Sequence, residues 1–269
     1  EAHLRIGDYL VREGKDPVKA IDSYSQALDT DPKGPYAGRA LKGLALARYE
    51  TKDYTTATEL FYRVITEFGE AALNEKTYLW TAQELHNAGK FDESARVLQA
   101  LLTAMPNYAS PNRVRFKIAE CRELASKTEE ALQLYQAIVA EAPKSTEAVE
   151  SWFRMGKLYE TLGQPEKAFD MYQAAANTNT GDTAARARFR IGEIQESKGE
   201  FEAAARSYMR VAILFLHEEL SPESLWRAGQ CYEKANALEQ ARKAYNETVE
   251  EFPDSGQAAK ARERLAAMG

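Results

Sequence analysis

Scarce residue types narrow the reading of this chain first. In 269 residues there are two cysteines and three histidines, too few for a disulfide framework or for zinc-type Cys/His clusters. Basic charge is not in excess: 35 Lys and Arg stand against 41 Asp and Glu, a net charge of −6. A phosphate-backbone partner calls for the opposite sign, so nucleic acid is not expected. No apolar run approaches the roughly 20 residues that cross a bilayer. The longest, from Val211 to Leu216, reads as one buried helix segment. A phosphate-binding glycine loop and a Ser/His/Asp constellation are both missing, and the paired carboxylates Glu129-Glu130 and Glu218-Glu219 read as exposed helix residues. The expectation is therefore no enzyme, no catalytic residues, no metal and no cofactor. With 44% hydrophobic and 28% charged residues the chain is nevertheless too apolar for disorder.

What is present is a repeat. An alanine and an aromatic four residues apart recur as Ala20/Tyr24, Ala57/Phe61, Ala131/Tyr135, Ala168/Tyr172, Ala204/Tyr208 and Ala241/Tyr245, with Ser94/Leu98 as a weaker copy. Successive copies are 37, 37, 37, 37, 36 and 37 residues apart. Such a period means stacked supersecondary units in which each contacts only its neighbours. One unit can be followed from Ser145 to Thr180. Trp152, Met155, Tyr159 and Leu162 lie at helical spacing. Gly163 is suited to ending that helix and Pro165 to starting a second, on which Ala168, Tyr172 and Ala175 share a face. The small Gly156 and Ala168 let the two helices cross closely, with Tyr172 filling the space beside them.

The residues Trp152, Met155, Gly156 and Tyr159, followed by Ala168 and Tyr172, resemble the tetratricopeptide repeat signature. Gly229, Tyr232, Ala241, Tyr245 and Pro253 repeat it. The small first-helix residue recurs as Gly7, Ala45, Ala82, Ala119, Gly156, Gly192 and Gly229, and closing prolines stand at Pro32, Pro106, Pro143 and Pro253. The resemblance implies an all-α fold, a right-handed α-solenoid of about seven helix hairpins plus a C-terminal capping helix. It is read as a single array over 1–269, with units 1–36, 37–73, 74–110, 111–144, 145–181, 182–220 and 221–255 and a cap at 256–268. The first unit carries an extra residue near Asp16-Pro17, and the third is degenerate at Thr81 and Ser94. The sixth has no proline after Tyr208, so its second helix is expected to run to about Glu219. In the cap, Ala258, Ala261 and Leu265 form the apolar stripe, with Arg264 on the outer side.

The period exceeds the usual 34 residues, and the surplus lengthens the start of each first helix. Ser110-Pro111 and Ser221-Pro222 read as a cap followed by proline at the first helical position, and Thr146 and Asp254-Ser255 as further caps. The connector from Glu250 to Leu265 and the long period resemble bacterial cell-envelope repeat proteins, namely the outer-membrane assembly lipoprotein and the Tol–Pal periplasmic protein. That resemblance implies a periplasmic or envelope location; the cytoplasm is the alternative. A chain beginning at Glu1 reads as processed or trimmed, so the missing signal peptide says little about location.

In such an array the first helices line the groove. Counting back from the second-helix alanines aligns Lys42, Leu79, Phe116, Phe153, Phe189 and Trp226, and seven residues further Tyr49, His86, Glu123, Glu160, Glu196 and Glu233. From the fourth unit onward this gives an aromatic row (Phe116, Phe153, Phe189, Trp226) and a glutamate row (Glu123, Glu160, Glu196, Glu233). The expected function is a scaffold that holds a protein or peptide segment, the aromatics burying its apolar side chains and the glutamates selecting Lys or Arg. The bland alternative makes the aromatics packing residues and the glutamates a solvated face. A small-molecule or glycan-binding module is a second functional alternative, and oligomeric state is left open. His3, His86 and His217 fall in different units and read as surface residues. Cys121 and Cys231 hold equivalent positions three repeats apart and are expected to be free and buried.

Overall fold

The computed structural model describes residues 1–69, 73–178, 181–215 and 219–269, and there all regular structure is α-helical. The helices are α1 (Ala2–Arg12), α2 (Pro17–Thr30), α3 (Ala37–Glu50), α4 (Tyr54–Glu67), α5 (Glu75–Asn87), α6 (Phe91–Ala104), α7 (Pro111–Leu124) and α8 (Thr128–Glu141). They continue with α9 (Thr146–Thr161), α10 (Pro165–Thr178), α11 (Asp182–Ser197), α12 (Phe201–Phe215), α13 (Leu220–Lys234), α14 (Leu238–Glu251) and α15 (Gly256–Ala267). Two compact units form, Glu1–Ala131 and Leu132–Gly269, divided within α8. In the N-terminal unit α1/α2, α3/α4 and α5/α6 are antiparallel hairpins, each packed on the first helix of the next. In the C-terminal unit α9/α10, α11/α12 and α13/α14 do the same, and α15 packs on α14.

Every hairpin turn closes on one left-handed residue. Lys15, Lys52, Gly89, Ser126, Gly163, Gly199 and Asn236 all have positive φ, at the same 36- or 37-residue steps as the alanines. The amide after each reaches back across the helix end, as Lys90 N does to Leu85 O (2.8 Å) and Gln164 N to Tyr159 O (2.9 Å). This satisfies carbonyls that the last helical turn leaves open. In the first hairpin the reach is one residue longer, from Asp16 N to Leu10 O, which locates the extra residue. Asp16, Asp53, Asn74, Ser145 and Ser255 cap the following helices through their side chains, each worth about 1 kcal/mol.

The recurrent tyrosine is the core of its hairpin. Tyr24, Tyr172, Tyr208 and Tyr245 are buried, each against the small residue of the first helix. A Cβ on Gly7, Gly156, Gly192 or Gly229 would lie 2.6, 2.5, 2.6 or 2.3 Å from the ring of its own tyrosine. Where the position of the tyrosine holds Phe61 or Leu98, the aligned residue is Ala45 or Ala82. The degenerate third hairpin stays closed because Ser94 is buried with its hydroxyl donating to Ala82 O (2.7 Å).

Three details differ from the sequence reading. Ser145, not Thr146, caps α9. α13 begins at Leu220, so Ser221-Pro222 lies inside its first turn rather than capping it. The expected run of α12 to about Glu219 falls on residues 216–218, which, including His217 and Glu218, lie outside the described residues, as does Thr180; Glu219 itself is the cap of α13. Arg264 does not face away but turns toward Glu233 of α13.

Candidate partner-binding face

Within the C-terminal unit α9, α11 and α13 lie side by side and bring six of the eight candidate residues together. Phe153, Phe189 and Trp226 each pack on the tyrosine of their own hairpin, with ring centroids 5.6, 5.2 and 5.1 Å from Tyr172, Tyr208 and Tyr245. Phe189 is buried, while Phe153 and Trp226 are half-buried and keep an edge toward solvent. Phe116 and Glu123, also half-buried, stand on α7 in the N-terminal unit.

The glutamates tie each hairpin to the next. Glu160 accepts from the buried Tyr172 hydroxyl (2.8 Å) and from Arg190 of the following first helix (2.5 Å). Glu196 accepts from Tyr208 (3.1 Å) and from Lys234 (2.8 Å), with Arg227 4.0 Å away. Glu233 takes a two-pronged contact from Arg264 (2.8 and 2.5 Å). Apart from Lys234, these cations belong to a further row that the sequence reading missed: Arg154, Arg190, Arg227 and Arg264, one residue past the aromatic position and recurring at the same 36- or 37-residue steps. Arg227 also stacks over Phe189 (5.2 Å) and reaches Glu193 (3.0 Å) and Glu223 (2.8 Å).

Charge shifts follow this wiring. Burial raises the Tyr172 hydroxyl above its ordinary range, and Glu160 beside it adds to the effect. Burial opposes ionisation of Glu196, but Lys234, Tyr208 and Arg227 outweigh it and hold the carboxyl below its usual value. Arg264 does the same for Glu233 against a smaller burial effect. Between α11 and α13 lies an open cleft of about 660 Å³, lined by Glu193, Glu196, Glu223, Arg227, Gln230 and Lys234 among others. Three carboxylates there meet two cations.

Cys121 and Cys231 are free and buried. Burial raises both thiols, Cys231 to about 12. His3 is exposed, and His86 is half-buried against Phe91 (ring centroids 5.3 Å) and Cys121 Sγ (3.8 Å). Among the described residues no cluster of three or more His, Cys, Asp or Glu could hold a metal ion, and no helix is long and apolar enough to cross a membrane.

Stacked hairpins with a left-handed closing residue and a tyrosine seated on glycine define a helical-repeat protein. Tetratricopeptide repeat profiles match residues 4–72, 81–146, 153–219 and 223–255. The chain belongs to the tetratricopeptide repeat family. No enzymatic family is indicated, and no curated protein matches the sequence. Among solved structures it is similar to the C-terminal part of a tetratricopeptide repeat protein from Cytophaga hutchinsonii, with 14% identity over 96% of this chain and 98% of that one, TM-score 0.57. BtubC from P. vanneervenii is 12% identical, with 90% of each chain covered and a TM-score of 0.51. A chain in the Naa15/Naa10 complex bound to HypK-THB is 15% identical over 99% of this chain and 38% of that one, TM-score 0.54. At these identities the likeness is one of fold alone.

Proposed function

We propose that the chain is a non-catalytic interaction scaffold that holds a segment of a protein partner on the first-helix face of its C-terminal unit. The observation that carries this is the cleft between α11 and α13, where three carboxylates face two cations and the Gln230 side chain makes no hydrogen bond among the described residues. The excess of carboxylate favours a partner carrying Lys or Arg, and the solvent-facing edges of Phe153 and Trp226 favour apolar side chains beside it. The glutamates already hold internal cations, so a partner's basic group would join the existing network rather than fill an empty pocket. An envelope setting is part of the same proposal and rests on the 37-residue period and the Pro253 connector; a signal sequence or lipobox in the full-length reading frame is its test.

Gln230→Lys removes the cleft's excess of carboxylate, setting three cations against three carboxylates. A partner captured from native lysate by the wild type and lost with this variant supports the reading. Equal capture by both overturns it.

A further inference from the structure

Among the glutamates that tie the C-terminal hairpins together, Glu196 is wired differently from Glu160 and Glu233. Those two are each held at 2.5 Å by the row arginine of the next first helix, Arg190 or Arg264. Arg227, the arginine aligned with these, stays 4.0 Å from Glu196. The cause lies one helical turn upstream. Arg190 and Arg264 follow Arg186 and Lys260 by four residues, and like charge there leaves each arginine to its glutamate. Arg227 follows Glu223 instead, which takes its Nε at 2.8 Å while Glu193 takes Nη1 at 3.0 Å. Glu196 is therefore filled by a different cation, Lys234 from the last turn of α13. From the second hairpin to the sixth, the residues aligned with Lys234 are Glu50, Asn87, Leu124, Thr161 and Ser197, none of them basic.

Lys234 shows what this seat accepts and holds it only loosely. Its Nζ donates to Glu196 Oε1 (2.8 Å) and lies over the Phe201 ring, 5.4 Å from the centroid. Carboxylate and ring face together recognise a primary ammonium. The Lys234 side chain is 49% exposed, against 23% for Glu196. Exposed pairs made by long side chains are weak, because ordering the chain cancels most of the attraction. A lysine from another protein can make the same two contacts, so the exchange is nearly even. The second carboxylate oxygen decides which cation fits. Glu196 Oε2 accepts from the buried Tyr208 hydroxyl (3.1 Å) and has Arg227 4.0 Å away. The single remaining oxygen serves an ammonium, whereas a guanidinium fork needs two parallel acceptors. We propose that Glu196 and the Phe201 ring form a lysine-binding subsite of the cleft, plugged by Lys234 in the free chain and opened when a partner's lysine displaces it. This rests on the scaffold function proposed above and narrows the basic group of the partner to lysine. With Lys234 displaced, the three carboxylates of the cleft face Arg227 alone.

The probe is n-butylammonium, a lysine side chain without its backbone, and NMR shifts of the Glu196 and Phe201 signals report its binding. Lys234→Ala vacates the subsite, and Lys234→Ser does so with the residue found at the aligned Ser197; position 234 is on the surface. Both variants are expected to bind the probe saturably and about threefold to thirtyfold more tightly than the wild type, the range set by one weak exposed pair and one cation–ring contact. In the Lys234→Ala background, Phe201→Leu should weaken binding about twofold to fivefold, and Glu196→Gln should abolish it. n-Butylguanidinium should bind less tightly than n-butylammonium. The Glu196 carboxyl, which Lys234 helps to hold low, should titrate higher in Lys234→Ala and fall again as the probe is added. Equal affinity in the wild type and both variants, a preference for guanidinium, or binding that survives Glu196→Gln would overturn the proposal. So would no binding by either variant, the outcome expected if Arg227 moves onto Glu196 once Lys234 is gone. The titration needs no partner, so its failure is distinct from a failure of the Gln230→Lys capture, which bears on the scaffold function alone.

Discussion

Gly229→Ala tests the central packing rule of these hairpins. The added methyl would lie 2.3, 2.6 and 2.7 Å from three atoms of the Tyr245 ring, whereas carbon atoms settle at about 3.5–4.0 Å. Relief therefore needs a movement of roughly 1 Å. The ring is fully buried, with Trp226 against it at 5.1 Å and Ala241 and Ala261 in the same cluster, so little of that movement can come from the side chain. Overpacking of this kind costs about 1–3 kcal/mol. Replacing glycine inside a helix returns up to about 1 kcal/mol, so a net loss of about 1–2 kcal/mol is expected. The fourth hairpin pairs Ala119 with Tyr135 in sequence, so helices can spread to admit the methyl, and the loss should not exceed this range. Urea denaturation followed by circular dichroism at 222 nm measures it. Adding Tyr245→Leu, which copies the Ala82/Leu98 pair of the third hairpin, should cost at least about 1 kcal/mol less than the two single changes summed. A Gly229→Ala protein as stable as the wild type, or additive single and double variants, would refute the reasoning.

Three further outcomes follow from the turns, the ion pairs and the thiols. Ser126 holds φ +60°, a conformation that costs a side chain about 1–2 kcal/mol. Part of that returns through the freer unfolded state of glycine, so Ser126→Gly should stabilise by about 0.5–1 kcal/mol in the same urea assay, and Gly163→Ala, at φ +67°, should destabilise. Glu196 and Glu233 titrate below their ordinary value in the folded chain. Their contribution is therefore complete above the unfolded carboxyl value near 4.5 and disappears as pH falls through the lowered folded values. Denaturation midpoints should drop below about pH 4.5, less steeply in Glu233→Gln; a parallel drop in that variant would remove Glu233 from the account. Cys121 and Cys231, buried and raised in pKa, should react with a disulfide reagent at pH 8 only after unfolding. Rapid reaction of the native chain would contradict their burial.

Much of the fold can be read from spacing because each hairpin needs the same few things at the same steps. The Ala/aromatic pairs mark the second helices, and the small first-helix residues mark where the tyrosine sits. The turn was read at Gly163 but not at Lys15, Lys52, Ser126 or Asn236, since nothing about a lysine or a serine announces a left-handed backbone. The surrounding hairpin imposes it. Cap positions slipped by a residue at Ser145 and moved at Glu219, because helix ends depend on which side chain reaches a free amide.

Alone, the sequence determined that this is a helical repeat, the register of its hairpins, and which residues share a helix face; these follow from periodicity, which is local. Only the tertiary structure decided how that face is used. Glu160, Glu196 and Glu233 could be aligned from sequence, but their partners Arg190, Lys234 and Arg264 are 30 to 38 residues away and meet them because successive hairpins stack. The same stacking turned Phe153, Phe189 and Trp226 onto their own tyrosines. Periodicity sets the order of the elements. Contacts between them depend on side-chain volume and charge at each junction, and those differ from one hairpin to the next.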